Sequence, residues 1–220
     1  MILRTVSLVC AVAAVILAVG CDSPPPEPEI TLVLTGQTLV KKDPRVRWDD
    51  PFGTLRPIVE GADVAFTNFE MAVVSDQDRC ELPVDYEVSL GSPPLPPESR
   101  PGNTGGPHAV QPAVMDFLAD LGFDLMSLSN NHAWDLGDCG VAATRAAAEA
   151  NGIAHAGTGH DVEAATAPGF ITVGDMTIGL IAATTSHDER SAIHDAVNGV
   201  WTGWQEDWDR NIEAVQDAAA

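Results

Sequence analysis

The sequence predicts an α/β protein, a layered sheet with flanking helices. Three observations predict it. Short apolar runs recur at Ile30 to Leu34, Ala62 to Phe69 and Phe123 to Leu128. Helix-like segments separate them, and alternation of strand and helix favours a layered α/β sheet. Each run also stops at polar residues, and in open α/β folds ligands collect at the carboxyl ends of strands.

In chain order, Ile30 to Leu34 is rich in branched residues and ends at Thr35-Gly36-Gln37-Thr38, which makes it a first strand. Pro57 to Gly61 reads as a short helix end. Ala62 to Phe69 is a second strand, ending at Asn68 and Glu70. Residues 76–110 are rich in Pro and Gly and read as a long loop, of the kind that is functional or disordered inside a domain. Gln111 to Leu121 is helical, with Val114, Phe117, Leu118 and Leu121 on one face and Gly122 as its stop. Phe123 to Leu128 is the third strand.

Gly140 to Asn151 is an Ala-rich helix that Asn151 and Gly152 cap. Ile153 to Ala156 is a short strand, and Asp161 to Ala167 a helical turn. Phe170 to Ala182 reads as a hairpin around Gly174-Asp175. Asp207 to Ala220 is a last helix. No repeats are evident.

The N-terminus carries an export pattern. Arg4 gives a positive start, Val6 to Val19 an apolar stretch short for a membrane span, and Gly20-Cys21 a junction. Residues 1–20 resemble a bacterial lipoprotein signal cleaved before Cys21, which would then carry lipid; Ala18 stands where Leu is usual. A simple secretory signal or short anchor is the alternative. Residues 21–29 are Pro-rich and read as an extended tether. Residues 30–220 are then about one domain, able to bury a real core.

The formal charge is -21, and removing residues 1–20 takes away one Arg and no acid, giving -22. A pI near 4.3 argues against nucleic-acid partners and against electrostatic attraction to anionic lipid. The acids are dispersed. They read as a solvated surface, or less plainly as a surface for divalent cations. After cleavage Cys80 and Cys139 are the cysteines left besides Cys21, so an oxidising compartment favours a disulfide between them. The bridge would restrict the unfolded chain by roughly 4 kcal/mol.

The motif of most interest runs from Leu125 to Gly137, where the apolar strand gives way to Asn130, Asn131, His132 and Asp135. A metal-assisted hydrolase needs oxygen and imidazole ligands gathered from several strand ends, with open positions for water and substrate. Gln37, then Asn68 and Glu70, then Asn131, His132 and Asp135 stand at three such ends.

These residues resemble the CapA family of capsule and poly-γ-glutamate biosynthesis proteins, within the calcineurin-like metallophosphoesterases. Thr67 to Glu70 is similar to that family's Asn-Leu-Glu motif, and Leu128 to Gly137 to its Ala-Asn-Asn-His-x-x-Asp-x-Gly motif. The segments Asn151 to Gly159 and Ile178 to Thr185 follow its spacing. The resemblance implies a metallophosphoesterase-like sheet and a divalent metal ion. It implies Asn131 as metal ligand, joined by Asn68, Glu70 and Asp135, and His132 as acid or substrate clamp. It also implies an anionic extracellular polymer or the capsule machinery as partner.

Two departures qualify this expectation. The family's first strand usually ends Gly-Asp with the Asp on the metal, whereas this chain has Gly36-Gln37. An amide brings no charge to a hard cation, so Gln37 is a candidate substrate contact at most. The family's later His-Trp-Gly-x-Glu and Gly-His-His-Pro-His motifs are not in the sequence. The expectation is therefore an N-terminal portion of a longer protein, incomplete at its C-terminus. Alone it should be inactive, with a core face and a strand edge exposed.

Plainer readings stand beside these. His132 reads less readily as a satisfied loop-end histidine, Glu70 as a cap or plain surface, and His155 and His160 as structural. His187, Asp188, Glu189 and His194 have a metal-like composition in a loop where the family has no ligands. Trp201, Trp204 and Trp208 have helix spacing and read as packing rather than sugar binding. Two function classes remain: a surface hydrolase acting on an anionic polymer, or a non-catalytic surface binding or scaffold lipoprotein on the same fold.

Overall fold

The computed structural model describes residues 29–74, 108–184, 199–200 and 208–219. The proposed signal and tether, Cys80, the His187–His194 cluster, Trp201 and Trp204 lie outside the described residues. No described helix is long and apolar enough to cross a membrane.

A four-stranded parallel sheet carries the fold. It contains β1 (Leu32–Thr38), β2 (Val64–Phe69), β5 (Leu125–Ser127) and β6 (Ala154–Ala156), in the order β1-β2-β5-β6. Between β2 and β5 the chain forms β3 (Ala72–Val73) and β4 (Ala109–Val110), a parallel pair of their own. The first strand was expected to stop at Leu34. It continues through Thr38 after a bulge between Leu34 and Gln37, because Thr38 still pairs with Phe69. Gln37 therefore lies within a strand, opposite Asn68, and not in a loop beyond it.

Parallel strands need crossover connections, and helices supply them here. Helix α1 (Arg56–Val59) precedes β2, α2 (Pro112–Asp120) precedes β5, and α3 (Gly137–Ala150) links β5 to β6. Helix α2 starts with Pro112 at its first position, where the missing N–H costs nothing. Its Val114, Met115, Phe117 and Leu118 are all buried. They meet Ala65 and Phe69 of β2, Met126 of β5, and Leu128 beyond it in the main core. Phe52 takes a left-handed φ of 63°, rare for an aromatic residue, and its ring lies 5.8 Å from that of Phe117.

Helix α3 begins at Gly137, three residues before the position the Ala-rich pattern suggested. Its Thr144 hydroxyl donates to Gly140 O at 2.7 Å and accepts the Val73 amide at 2.9 Å, which fastens β3 to the helix. Beyond β6 lie β7 (Thr158–Gly159), α4 (Val162–Thr166), and the hairpin of β8 (Gly169–Val173) and β9 (Met176–Leu180), turned at Gly174 as expected. Asp161 caps α4 by accepting the Ala164 amide. A short β10 (Gly199–Val200) pairs with β7, and α5 (Trp208–Ala218) ends the described chain.

The second face of the sheet is less covered at its β1 edge, where Leu34 is 71% exposed. Parallel sheets are ordinarily covered on both faces.

Candidate functional site

The carboxyl ends of β2 and β5 build the site. Register places Asn68 beside Ser127, so the residues that follow each strand emerge next to one another. Asn130 is buried and ties the two ends together: its amide nitrogen donates to Phe69 O at 2.8 Å and to Asn68 Oδ1 at 3.3 Å. Its own Oδ1 accepts the His132 amide at 3.0 Å. The backbone of the motif is thus set by side-chain hydrogen bonds from a single residue.

His132 is 20% exposed, and its Nδ1 lies 2.8 Å from Oδ2 of Asp135, whose side chain is 2% exposed. An ionised carboxylate only accepts, so Nδ1 carries the hydrogen and Nε2 is left as the working position. The same Oδ2 accepts the backbone N–H of His108 at 2.6 Å. The His108 ring lies flat on the His132 ring, with centroids 3.5 Å apart and planes 15° apart. Nδ1 of His108 lies 3.3 Å from the Glu70 carbonyl oxygen. Burial, then the neighbouring His132 and Lys41, hold the His108 imidazole below the usual histidine range.

Glu70 is 5% exposed, and its Oε2 finds no hydrogen-bond partner. A buried carboxylate oxygen without a donor is costly, and such atoms accumulate where a ligand belongs. The other expected residues are arranged differently. Asn131, the expected metal ligand, is exposed, while its neighbour Asn130 is the buried amide. Gln37 is exposed and lines a cavity of about 300 Å³ against α2, with Leu39, Phe52, Phe117 and Phe123 among the walls. Cys139 is disulfide-bonded. Cys80 and Cys21 lie outside the described residues.

Among the described residues, no three His, Cys, Asp or Glu side chains come together to hold a metal. Asp135 is committed to His132 and His108, and Glu70 offers a buried carboxylate oxygen without a hydrogen-bond partner. These residues by themselves do not fit a di-metal centre.

His108 was not singled out by sequence reasoning. Its only signal is its place at the exit of the Pro/Gly-rich loop, just before a helix. The pairing of β3 with β4 is what carries it to the site, because Ala72 and Ala109 lie side by side. Two-residue strands leave too little pattern to read.

His155 on β6 is mostly buried, its Nδ1 is unpartnered, and its Nε2 lies 3.6 Å from Glu149 of α3. It belongs to the β6–α3 packing, in line with its structural reading.

Residues 31–219 match the family model of the bacterial capsule synthesis protein PGA_cap. That family is metallophosphoesterase-like and usually binds metals. Among curated proteins, the chain is similar to the uncharacterized proteins y4sH and y4uA of Sinorhizobium fredii (strain NBRC 101917 / NGR234). Each is 26% identical over 156 residues, covering 71% of this chain and 30% of the relative. The chain thus spans under a third of the length of these relatives. With the family model matching most of its length, this protein belongs to the bacterial capsule synthesis protein (PGA_cap) family.

Proposed function

We propose that the protein works in capsule or poly-γ-glutamate biosynthesis at the outer face of the membrane, held there by lipid on Cys21, and hydrolyses bonds in an anionic polymer. The observation that carries this reading is the His132–Asp135 pair, 2.8 Å apart at the carboxyl edge of the sheet. Asp135 orients the ring and holds the hydrogen on Nδ1. Nε2, when protonated, is the position from which a leaving group takes its proton.

Glu70 supports the same reading, since its free oxygen lies buried one residue past the β2 end. It is the member of the expected ligand set Asn68, Glu70, Asn131 and Asp135 that supplies an uncommitted charge. An acidic protein acting on a polyanion also meets repulsion, and divalent cations that bridge the two would relieve it. A cation requirement therefore belongs to the proposal.

The non-catalytic alternative, a surface binding or scaffold lipoprotein, is favoured by one observation: an exposed Gln37 stands where the family resemblance expects a carboxylate.

The test is incubation of the purified protein with poly-γ-glutamate and Mg²⁺ or Mn²⁺, followed by size-exclusion chromatography. The catalytic reading expects shorter polymer with the wild type and unchanged polymer with His132→Ala. Cation-dependent binding without shortening would replace it with the scaffold reading.

A further inference from the structure

We propose that His108 is a positioning residue for His132: its stacked ring fixes the plane of the His132 imidazole, and with it the direction of Nε2. The proposal rests on the reading of His132 as the working imidazole. Its ground is the geometry of three residues contributed by two separate segments. Asp135 Oδ2 is the common anchor, accepting from Nδ1 of His132 and from the main-chain N–H of His108. The hydrogen bond from His132 fixes one point of its ring but leaves rotation about that bond. The His108 face, 3.5 Å away and 15° from parallel, removes that freedom.

His108 is itself held, with Nδ1 toward the Glu70 carbonyl. A carbonyl only accepts, so here too the hydrogen sits on Nδ1. The arrangement invites comparison with a two-histidine metal site, since each Nδ1 rests on an oxygen acceptor as in ligating histidines. The ring planes decide against it. Lone pairs lie in the ring planes, and two nearly parallel imidazoles stacked face to face cannot aim both at one ion. A stacked ring does serve to hold its neighbour still, and a working group needs that support to keep its aim.

The contacts of His108 divide conveniently for an experiment. Its bond to Asp135 comes from the main chain and survives any side-chain substitution other than Pro. Replacement of the ring removes the stack and the bond to the Glu70 carbonyl together, and a flat ring without a donor separates the two. His108→Phe keeps a flat ring, and His108→Ala removes it.

The measurement is a ¹H–¹⁵N spectrum of the histidine side chains in the full chain, with thermal melts to confirm folding. In the wild type, the His132 ring protons should be displaced upfield by the neighbouring ring current, and Nδ1 should appear as the protonated nitrogen. His108→Phe should keep both features. His108→Ala should lose the displacement while Nδ1 stays the protonated nitrogen, because the bond to Asp135 is untouched. On the polymer, His108→Ala should lower kcat by up to about 100-fold with KM little changed, the scale of a small misplacement of a reacting group, and His108→Phe should restore most of it.

An unchanged His132 spectrum in His108→Ala would overturn the proposal. The spectra read the stack without any activity. If the wild type leaves the polymer intact while the spectra behave as expected, the hydrolytic reading fails and the positioning role stands.

Discussion

Asp135 is the residue on which the site turns. Its Oδ2 accepts from His132 and from the backbone of His108, and its side chain is almost wholly buried. Asn at this position loses the charge that makes both bonds strong. Asp135→Asn should lower stability by about 1.5–3 kcal/mol, the range for hydrogen bonds to a charged group, which urea denaturation would measure.

His155 supplies a second test at the same scale. Burial, then Arg145, lower its affinity for a proton below the ordinary histidine value of 6.5, against a smaller opposing effect of Glu149. The unfolded chain therefore takes up the proton first as pH falls. Stability from this group is complete above pH 6.5 and declines below it until the folded pKa is reached. His108 acts with the same sign. Melting temperatures across pH 5 to 7.5 should fall on the acid side, and less steeply in His155→Phe; an unaltered slope would refute the assignment.

The positions of His132, Asp135 and Glu70 past the ends of apolar runs were legible in the sequence, and the structure brings His132 and Asp135 into contact. Between Asn130 and Asn131, the family resemblance pointed to Asn131. Which of two adjacent amides turns inward depends on backbone direction after β5, and the structure gives the inward place to Asn130.

Among the elements, the long ones were readable and the short ones were not. Helix α2 and the β8–β9 hairpin lie within a residue or two of where periodicity and the Gly174 turn put them. The pair β3–β4 had no signal of its own, and its stability comes from tertiary contacts. Thr144 is one of these, accepting the buried Val73 amide while donating within α3. Thr144→Val keeps the shape and leaves that N–H unsatisfied. The expected cost is about 1–3 kcal/mol, with faster hydrogen exchange at Val73 as its local mark.

Gly157 is the other sensitive point. It adopts φ +101°, and a Cβ there would meet the Ser129 Cβ at 2.5 Å and the Ala182 Cβ at 2.9 Å. Gly157→Ala should therefore destabilise by more than about 1 kcal/mol, read from the same denaturation curves. A neutral outcome would mean that the turn between β6 and β7 relaxes freely.

At the scale of the molecule, the α/β class was legible because strands and helices alternate along the chain, and the family because its central motif is compact in sequence. The extent of β1 was not, since a strand that continues past Gly36 through a bulge looks in sequence like one that has stopped. Export is a separate claim carried by residues 1–21. Labelling with palmitate should mark the wild type and not Cys21→Ala; equal label in both would end the lipoprotein reading.

The central claim is that the imidazole held by Asp135 is the working group of a capsule-polymer protein. Its most direct test is the amount of surface polymer made by cells in which His132→Ala replaces the wild-type residue in the full-length protein, with export and level of the protein confirmed by immunoblot. The account predicts polymer as low as in cells lacking the gene, and wild-type amounts of polymer from His132→Ala cells would contradict it.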